Sequence, residues 1–173
     1  MAQTGNTDTI FSAEELAARI AVLGRQISTD YAGEPLTLVV LMTGGMIFAA
    51  DLARSIDIPL WIDSVSVASY HGHSSSGELK FRSELKLDVK GRHVLLVDEV
   101  FDTGITLSGL RRYFEGKGAL SVKAAVAVIK DVPRSPDALL PEYAGFYAPD
   151  RYLIGYGLDS NEEGRHLPFI GAV

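Results

Sequence analysis

Val94-Leu95-Leu96-Val97-Asp98-Glu99-Val100-Phe101-Asp102-Thr103-Gly104-Ile105-Thr106-Leu107 is the stretch whose reading decides the fold. It begins inside residues 93–97, a short apolar run with the pattern of a strand covered on both faces. Asp98 to Gly104 form a polar turn that contains glycine, and residues 105–116 read as a helix. A buried strand, a turn and a helix in direct succession make the repeating unit of an α/β sheet. The unit recurs upstream. Residues 37–42 are a second buried strand, Thr43-Gly44-Gly45 breaks it, and residues 46–56 read as a helix. Residues 60–70, 78–87, 122–129 and 152–157 supply further strand candidates, the second of alternating character. Near the start, Ser12 can cap the Glu15 amide while Glu15 reaches back, and Phe11 and Leu16 stand where a hydrophobic staple would. Leu16, Ile20, Leu23 and Ile27 then fall at helical spacing. The expectation is an α/β fold with a largely parallel sheet, residues 1–173 forming one domain without repeats or a linker.

Composition narrows the function. The chain has 173 residues, 47% hydrophobic and 22% charged, enough for one substantial core. A formal net charge of −6 argues against a nucleic-acid partner. There is no cysteine, which excludes disulfides and thiolate-bound metals. No apolar run is long enough for a membrane span, and the polar start lacks a signal core. A cytoplasmic location is the simple expectation.

In parallel α/β sheets, ligands bind beyond the carboxyl ends of the strands. The apolar strands here are followed by Thr43-Gly44-Gly45, by Asp98 to Gly104, by Lys130-Asp131 and by Asp159. Asp102-Thr103-Gly104-Ile105-Thr106 sits where a helix N-terminus offers unpaired N–H groups to an anion. The lysine-bearing P-loop and the dinucleotide G-x-G-x-x-G are both missing. Asp98 and Glu99 beside a phosphate site need a counterweight. Ribose hydroxyls or a divalent metal can provide it, so a sugar phosphate suits the pattern. Read without further context, the same residues could be an acidic turn that caps a helix.

The stretch resembles the signature of type I phosphoribosyltransferases: an apolar strand, two acids, two apolar residues and Asp-Thr-Gly-x-Thr. The resemblance extends from about Leu38 to the C-terminus and is closest to hypoxanthine(-guanine) phosphoribosyltransferases. Supporting segments are Leu41 to Gly45, Ser69-Tyr70, Ser76-Gly77-Glu78, Lys130 with Pro133-Arg134, the run from Pro149 to Asp159, and Arg165 to Gly171. It implies a central parallel sheet flanked by helices, with a small hood built from the N- and C-terminal segments. It also implies transfer of a phosphoribosyl group from 5-phosphoribosyl 1-diphosphate (PRPP) to N9 of hypoxanthine, with guanine as a second expected acceptor.

The resemblance implies residue roles too. Asp98 and Glu99 would hold the ribose hydroxyls, directly or through Mg2+. Asp102, Thr103, Gly104, Ile105 and Thr106 would bind the 5′-phosphate, and Asp102 would exchange a proton with purine N7. Helix capping is its alternative role, and the two are compatible. Lys130 would donate to the 6-oxo group, which adenine lacks; its alternative is a strand-end lysine reaching water. Tyr152 would stack on the base and Leu153 would meet the purine edge through its main chain. Asp159 would be a further Mg2+ ligand. Thr43, Gly44, Gly45 and Arg165 would bind pyrophosphate, and relatives often carry a non-proline cis peptide at this loop. Many relatives also have lysine where Thr43 stands, and the acid pair is more commonly Glu-Asp or Asp-Asp. Ser69 and Tyr70 begin the segment expected to close over the site. His71 and His73 are too few for a metal centre. Relatives are dimers or tetramers, so a homo-oligomer is expected. Two rivals stand beside this reading: an enzyme preferring xanthine or guanine, and a PRPP-sensing regulator with the same fold.

Overall fold

The computed structural model describes residues 7–68, 79–83 and 85–173. Ser69 and Tyr70, with the rest of the expected closing segment, lie outside the described residues.

Strand β1 (Asp8–Phe11) leads into helix α1 (Ala13–Asp30), and Ser12 closes the expected capping box with Glu15. Leu16, Ile20, Leu23 and Ile27 form its buried face. Strand β2 (Leu36–Leu41) is buried along its whole length and leads to helix α2 (Met46–Arg54). Strands β3 (Leu60–Ala68) and β4 (Lys80–Ser83) come next. Strand β5 (His93–Phe101), helix α3 (Ile105–Gly116) and strand β6 (Ser121–Lys130) complete the central unit. Strands β7 (Tyr143–Ala148), β8 (Leu153–Ile154) and β9 (Ile170–Ala172) close the chain.

The main sheet has the order β4-β3-β2-β5-β6-β7, and all pairs are parallel except β3 with β4. Its two faces separate the core. Leu38, Val40, Leu95 and Val97 pack towards α1 and α2, whereas Val39, Leu41, Leu96 and Val126 pack with Leu107, Leu110 and Phe114 of α3. Strands covered on both faces explain the continuous apolar runs. A second sheet, β1-β9-β8, is antiparallel and joins the two ends of the chain into the expected hood.

The larger departures from the sequence reading concern β5, β7, β8 and β4. β5 does not stop at Val97 but continues through Phe101, because Asp98, Val100 and Phe101 stay paired with β6. The acids therefore stand on a strand and not in a turn. β7 has mixed composition and no apolar run to reveal it; pairing with β6 makes it a strand. The strand expected over residues 152–157 is only Leu153–Ile154, antiparallel to β9, and it gives way to a tight turn. Asp159 thus belongs to the hood and not to a main-sheet strand end. Of the strand expected over residues 78–87, the described part is Lys80–Ser83, and residues 85–87 are not strand.

Candidate active site

β2 and β5 are parallel neighbours in register, with Val40 beside Val97, so the loops that leave their carboxyl ends meet at one level. After β2 the Met42–Thr43 peptide is cis, and the Gly45 amide donates back to the Leu41 carbonyl at 3.0 Å. Gly44 and Gly45 are buried while Thr43 is exposed. Their lack of side chains is structurally required. A Cβ on Gly44 would land on the Glu99 carboxyl group, and one on Gly45 would press on the Val97 and Leu41 carbonyls. The expected pyrophosphate loop therefore lies directly on the acid pair.

The Asp98 carboxylate accepts the Glu99 amide at 3.0 Å. Burial of Asp98, reinforced by the negative charge of Glu99, pushes its pKa well above the usual carboxylate range. No arginine among the described residues pairs with either acid. Two adjacent carboxyl groups held this way suit a ligand that brings hydroxyl donors or positive charge.

β5 ends at Phe101, and Gly104, at φ +80°, starts α3. A Cβ on Gly104 would meet Ala138 at 2.7 Å and the Phe101 ring at 2.8 Å, so the loop takes this path only with glycine. The Thr103 carbonyl accepts the Ser135 amide at 3.0 Å, which braces the loop from outside. No side chain caps α3, which overturns the capping role for Asp102. Asp102 and Thr103 are exposed, and Asp102 has no hydrogen-bond partner among the described residues. The first amides of α3 are thus left for an anion.

Lys130 closes β6 beside Ala148 of β7. Its ammonium pairs with Asp150 at 3.0 Å, although only 18% of the lysine side chain is exposed. This partner was missed in the sequence, where nothing in the spacing links residues 130 and 150. Tyr152 is exposed, so it is no core aromatic, and its carbonyl accepts the Val173 amide at 3.0 Å. Leu153 is buried in the hood.

The hood reaches the strand ends through Gly155, Tyr156 and Gly157, at φ +95°, +52° and +101°. A Cβ on Gly157 would land on the Gly44 carbonyl, so the turn touches the expected pyrophosphate loop. Arg165 donates to the Gly157 carbonyl at 2.8 Å and pairs with Asp159 at 2.7 Å and Glu162 at 3.0 Å. Arg165 and Asp159 are therefore brought together, and the contact with Gly157 attaches them to the loop. The role of Gly157 was legible only as part of a glycine-rich run.

No group of three or more His, Cys, Asp or Glu among the described residues could hold a metal by itself. The desolvated Asp98-Glu99 pair fits a hard cation that takes its other oxygens from substrate and water. Asp159 fits less well, because Arg165 engages one of its oxygens and the Glu162 amide the other.

The family model for the phosphoribosyl transferase domain matches residues 6–150, which sets the class. The chain is similar to the hypoxanthine-guanine phosphoribosyltransferase of Streptococcus pneumoniae, at 38% identity over 95% of this chain and 91% of that one. It is similar to the hypoxanthine phosphoribosyltransferase of Salmonella typhimurium, at 37% identity over 92% and 90%. The crystal structure of a hypoxanthine-guanine phosphoribosyltransferase from Bacillus anthracis matches with a TM-score of 0.91 and 34% identity, over 96% and 98% of the two chains. The chain belongs to the hypoxanthine(-guanine) phosphoribosyltransferase family of purine-salvage enzymes.

Proposed function

We propose that the chain transfers the 5-phosphoribosyl group of PRPP to N9 of hypoxanthine and of guanine, releasing pyrophosphate. The observation that carries this reading is the meeting of three segments at Gly44. Glu99 and Gly157 both lie against it, so acid pair, glycine loop and hood come together. Such a site matches the three parts of the reactant pair: ribose, pyrophosphate and base.

The 5′-phosphate rests on the first amides of α3 and the hydroxyls of Thr103 and Thr106. The pyrophosphate meets the Thr43 to Gly45 backbone and Arg165. As pyrophosphate leaves, positive charge grows on the ribose. The carboxylates of Asp98, Glu99 and Asp102 stabilise that charge electrostatically. Purine N9 attacks C1′, and Asp102, with no competing partner among the described residues, takes the proton lost from N7. Lys130, oriented by Asp150, donates to the 6-oxo group. Tyr152 offers its ring at the rim, and the main chain at Leu153 meets the purine edge. Asp98 and Glu99 would hold Mg2+, with Asp159 as a further carboxylate, and the ion would offset the charge of PRPP when bound. Ser69 and Tyr70 would cover the site during transfer. The working protein is a homo-oligomer, dimer or tetramer, of a one-domain chain, and no helix among the described residues is long and apolar enough to cross a membrane.

The test is a substrate panel with PRPP and hypoxanthine, guanine, xanthine or adenine. Hypoxanthine and guanine should give their nucleotides with matching pyrophosphate release. Efficient adenine use refutes the role of Lys130. Xanthine as the preferred base makes this the rival xanthine/guanine enzyme.

A further inference from the structure

We infer that Tyr156 and Asp51 act as a positioning pair: their hydrogen bond ties α2 to the hood and sets Arg165 over the pyrophosphate loop. The inference rests on the proposed function and adds to it a device that controls the pyrophosphate side of the site.

The Tyr156 ring is buried, at 4% exposure, and its hydroxyl donates to Asp51 Oδ2 at 2.7 Å. Burial, and next the bond to Asp51, push the Tyr156 pKa up, so the hydroxyl remains a donor. Asp51 lies on α2, the helix that starts directly after Gly45. Tyr156 has a left-handed backbone, φ +52°, between two left-handed glycines. Side-chain-bearing residues hold this conformation when their surroundings over-determine it. Here the Tyr156 amide donates to the Leu167 carbonyl and the Gly157 amide to the Arg165 carbonyl, both at 2.9 Å. One residue beyond Tyr156, Gly157 lies against the Gly44 carbonyl and accepts from Arg165. The path from Asp51 to the site is therefore short and made of direct contacts. It runs from α2 through the tyrosine to the turn, and from the turn to Arg165.

Beside this bond, α1, α2 and the hood leave a cavity of about 510 Å³, lined among others by Leu16, Ile47, Asp51, Tyr156 and Leu167. The described residues leave this part of the hood's underside open, and both partners of the hydrogen bond line it.

Tyr156→Phe keeps the ring and removes the hydroxyl. Asp51 would keep its bond to Arg54 at 2.8 Å and its access to water, so the fold should persist. Steady-state kinetics and calorimetric binding of magnesium–PRPP are measured on the full chain. KM for PRPP, its Kd and the inhibition constant of pyrophosphate should each rise about tenfold, the scale of one charged hydrogen bond. KM for hypoxanthine should change by less than about twofold, well below that scale. Asp51→Ala, which leaves the tyrosine intact, should reproduce the pattern, and Asp51→Asn, which keeps an oxygen acceptor, should stay near wild type. Equal shifts in both KM values, or none, overturn the pair as a positioning device. So does an Asp51→Asn enzyme as impaired as Asp51→Ala. A wild type that binds no PRPP overturns the proposed function as well, whereas an active wild type matched by Tyr156→Phe overturns this inference alone.

Discussion

Gly44→Ala should disable the site and spare the fold. Gly44 is not one of the left-handed glycines, so alanine meets no backbone strain there. The new methyl group would instead fall on the Glu99 carboxyl group, all three atoms of which lie inside contact distance of the ideal Cβ position. Carbon contacts settle near ~3.5 Å, so the carboxyl group must retreat by on the order of an ångström. It is the end of a flexible side chain and can move at little cost, which holds the loss of stability within about 1 kcal/mol, or ~2–4 °C in Tm. Activity is more sensitive, since an error of about an ångström in a catalytic arrangement lowers the rate ~100-fold. The assay is kcat/KM for PRPP beside a thermal melt, for Gly44→Ala, Glu99→Ala and the double variant. Glu99→Ala frees the space the new methyl needs, so the double variant should be no worse than Glu99→Ala. Wild-type activity in Gly44→Ala would refute the reasoning, and so would losses that multiply in the double variant.

Two further substitutions separate roles within the acid cluster. Asp98→Asn should lower activity yet stabilise the ligand-free, chelator-treated protein at neutral pH. The folded pKa of Asp98 is raised, so its stabilising, protonated form is fully present below the unfolded pKa and is lost as pH rises through the folded one. The melting advantage of the variant should therefore grow from acid to neutral pH, and an advantage independent of pH would contradict this. Asp102→Asn should lower kcat by ~100-fold or more, the scale of general acid–base catalysis, with small changes in KM; equal kcat in variant and wild type would remove Asp102 from the proton transfer.

The parts of this molecule that were legible in the sequence are those whose physics is local. Residues 94–97 are apolar without interruption because both faces of β5 are covered, and Gly104 is required by its own backbone angle. The capping box at Ser12 and the bounds of α3 are local in the same sense. β7 was illegible for the opposite reason. Its residues mix large, small and aromatic side chains, and only the neighbouring β6 makes them a strand. The acid pair was legible as chemistry and misplaced as structure, since the pairing of Asp98 with Val126 is non-local. The ion pair of Lys130 with Asp150 and the bond of Tyr156 to Asp51 belong to the same class. Each joins residues that spacing does not relate.

The charges at the strand ends bear on the proposed pyrophosphate loop, which has threonine at position 43. Arg165 is already shared between Asp159 and Glu162, and Lys130 is held by Asp150. Asp98, Glu99 and Asp102 stand without such partners among the described residues, so the side chains around the proposed ribose position are acidic in sum. A polyanion such as PRPP gains little from them. On the proposed reading its attraction comes from backbone amides at the start of α3, from the loop before α2, and from cations that arrive with it. A lysine at position 43 would strengthen the hold on pyrophosphate, which is also the product that must leave. With Thr43, the cation proposed for this loop is Arg165, which donates to the Gly157 carbonyl of the turn that carries Tyr156. If the proposed tether holds Arg165 there, the neutral residue in the loop and the tether in the hood would act on the same quantity, the affinity for pyrophosphate, from opposite sides.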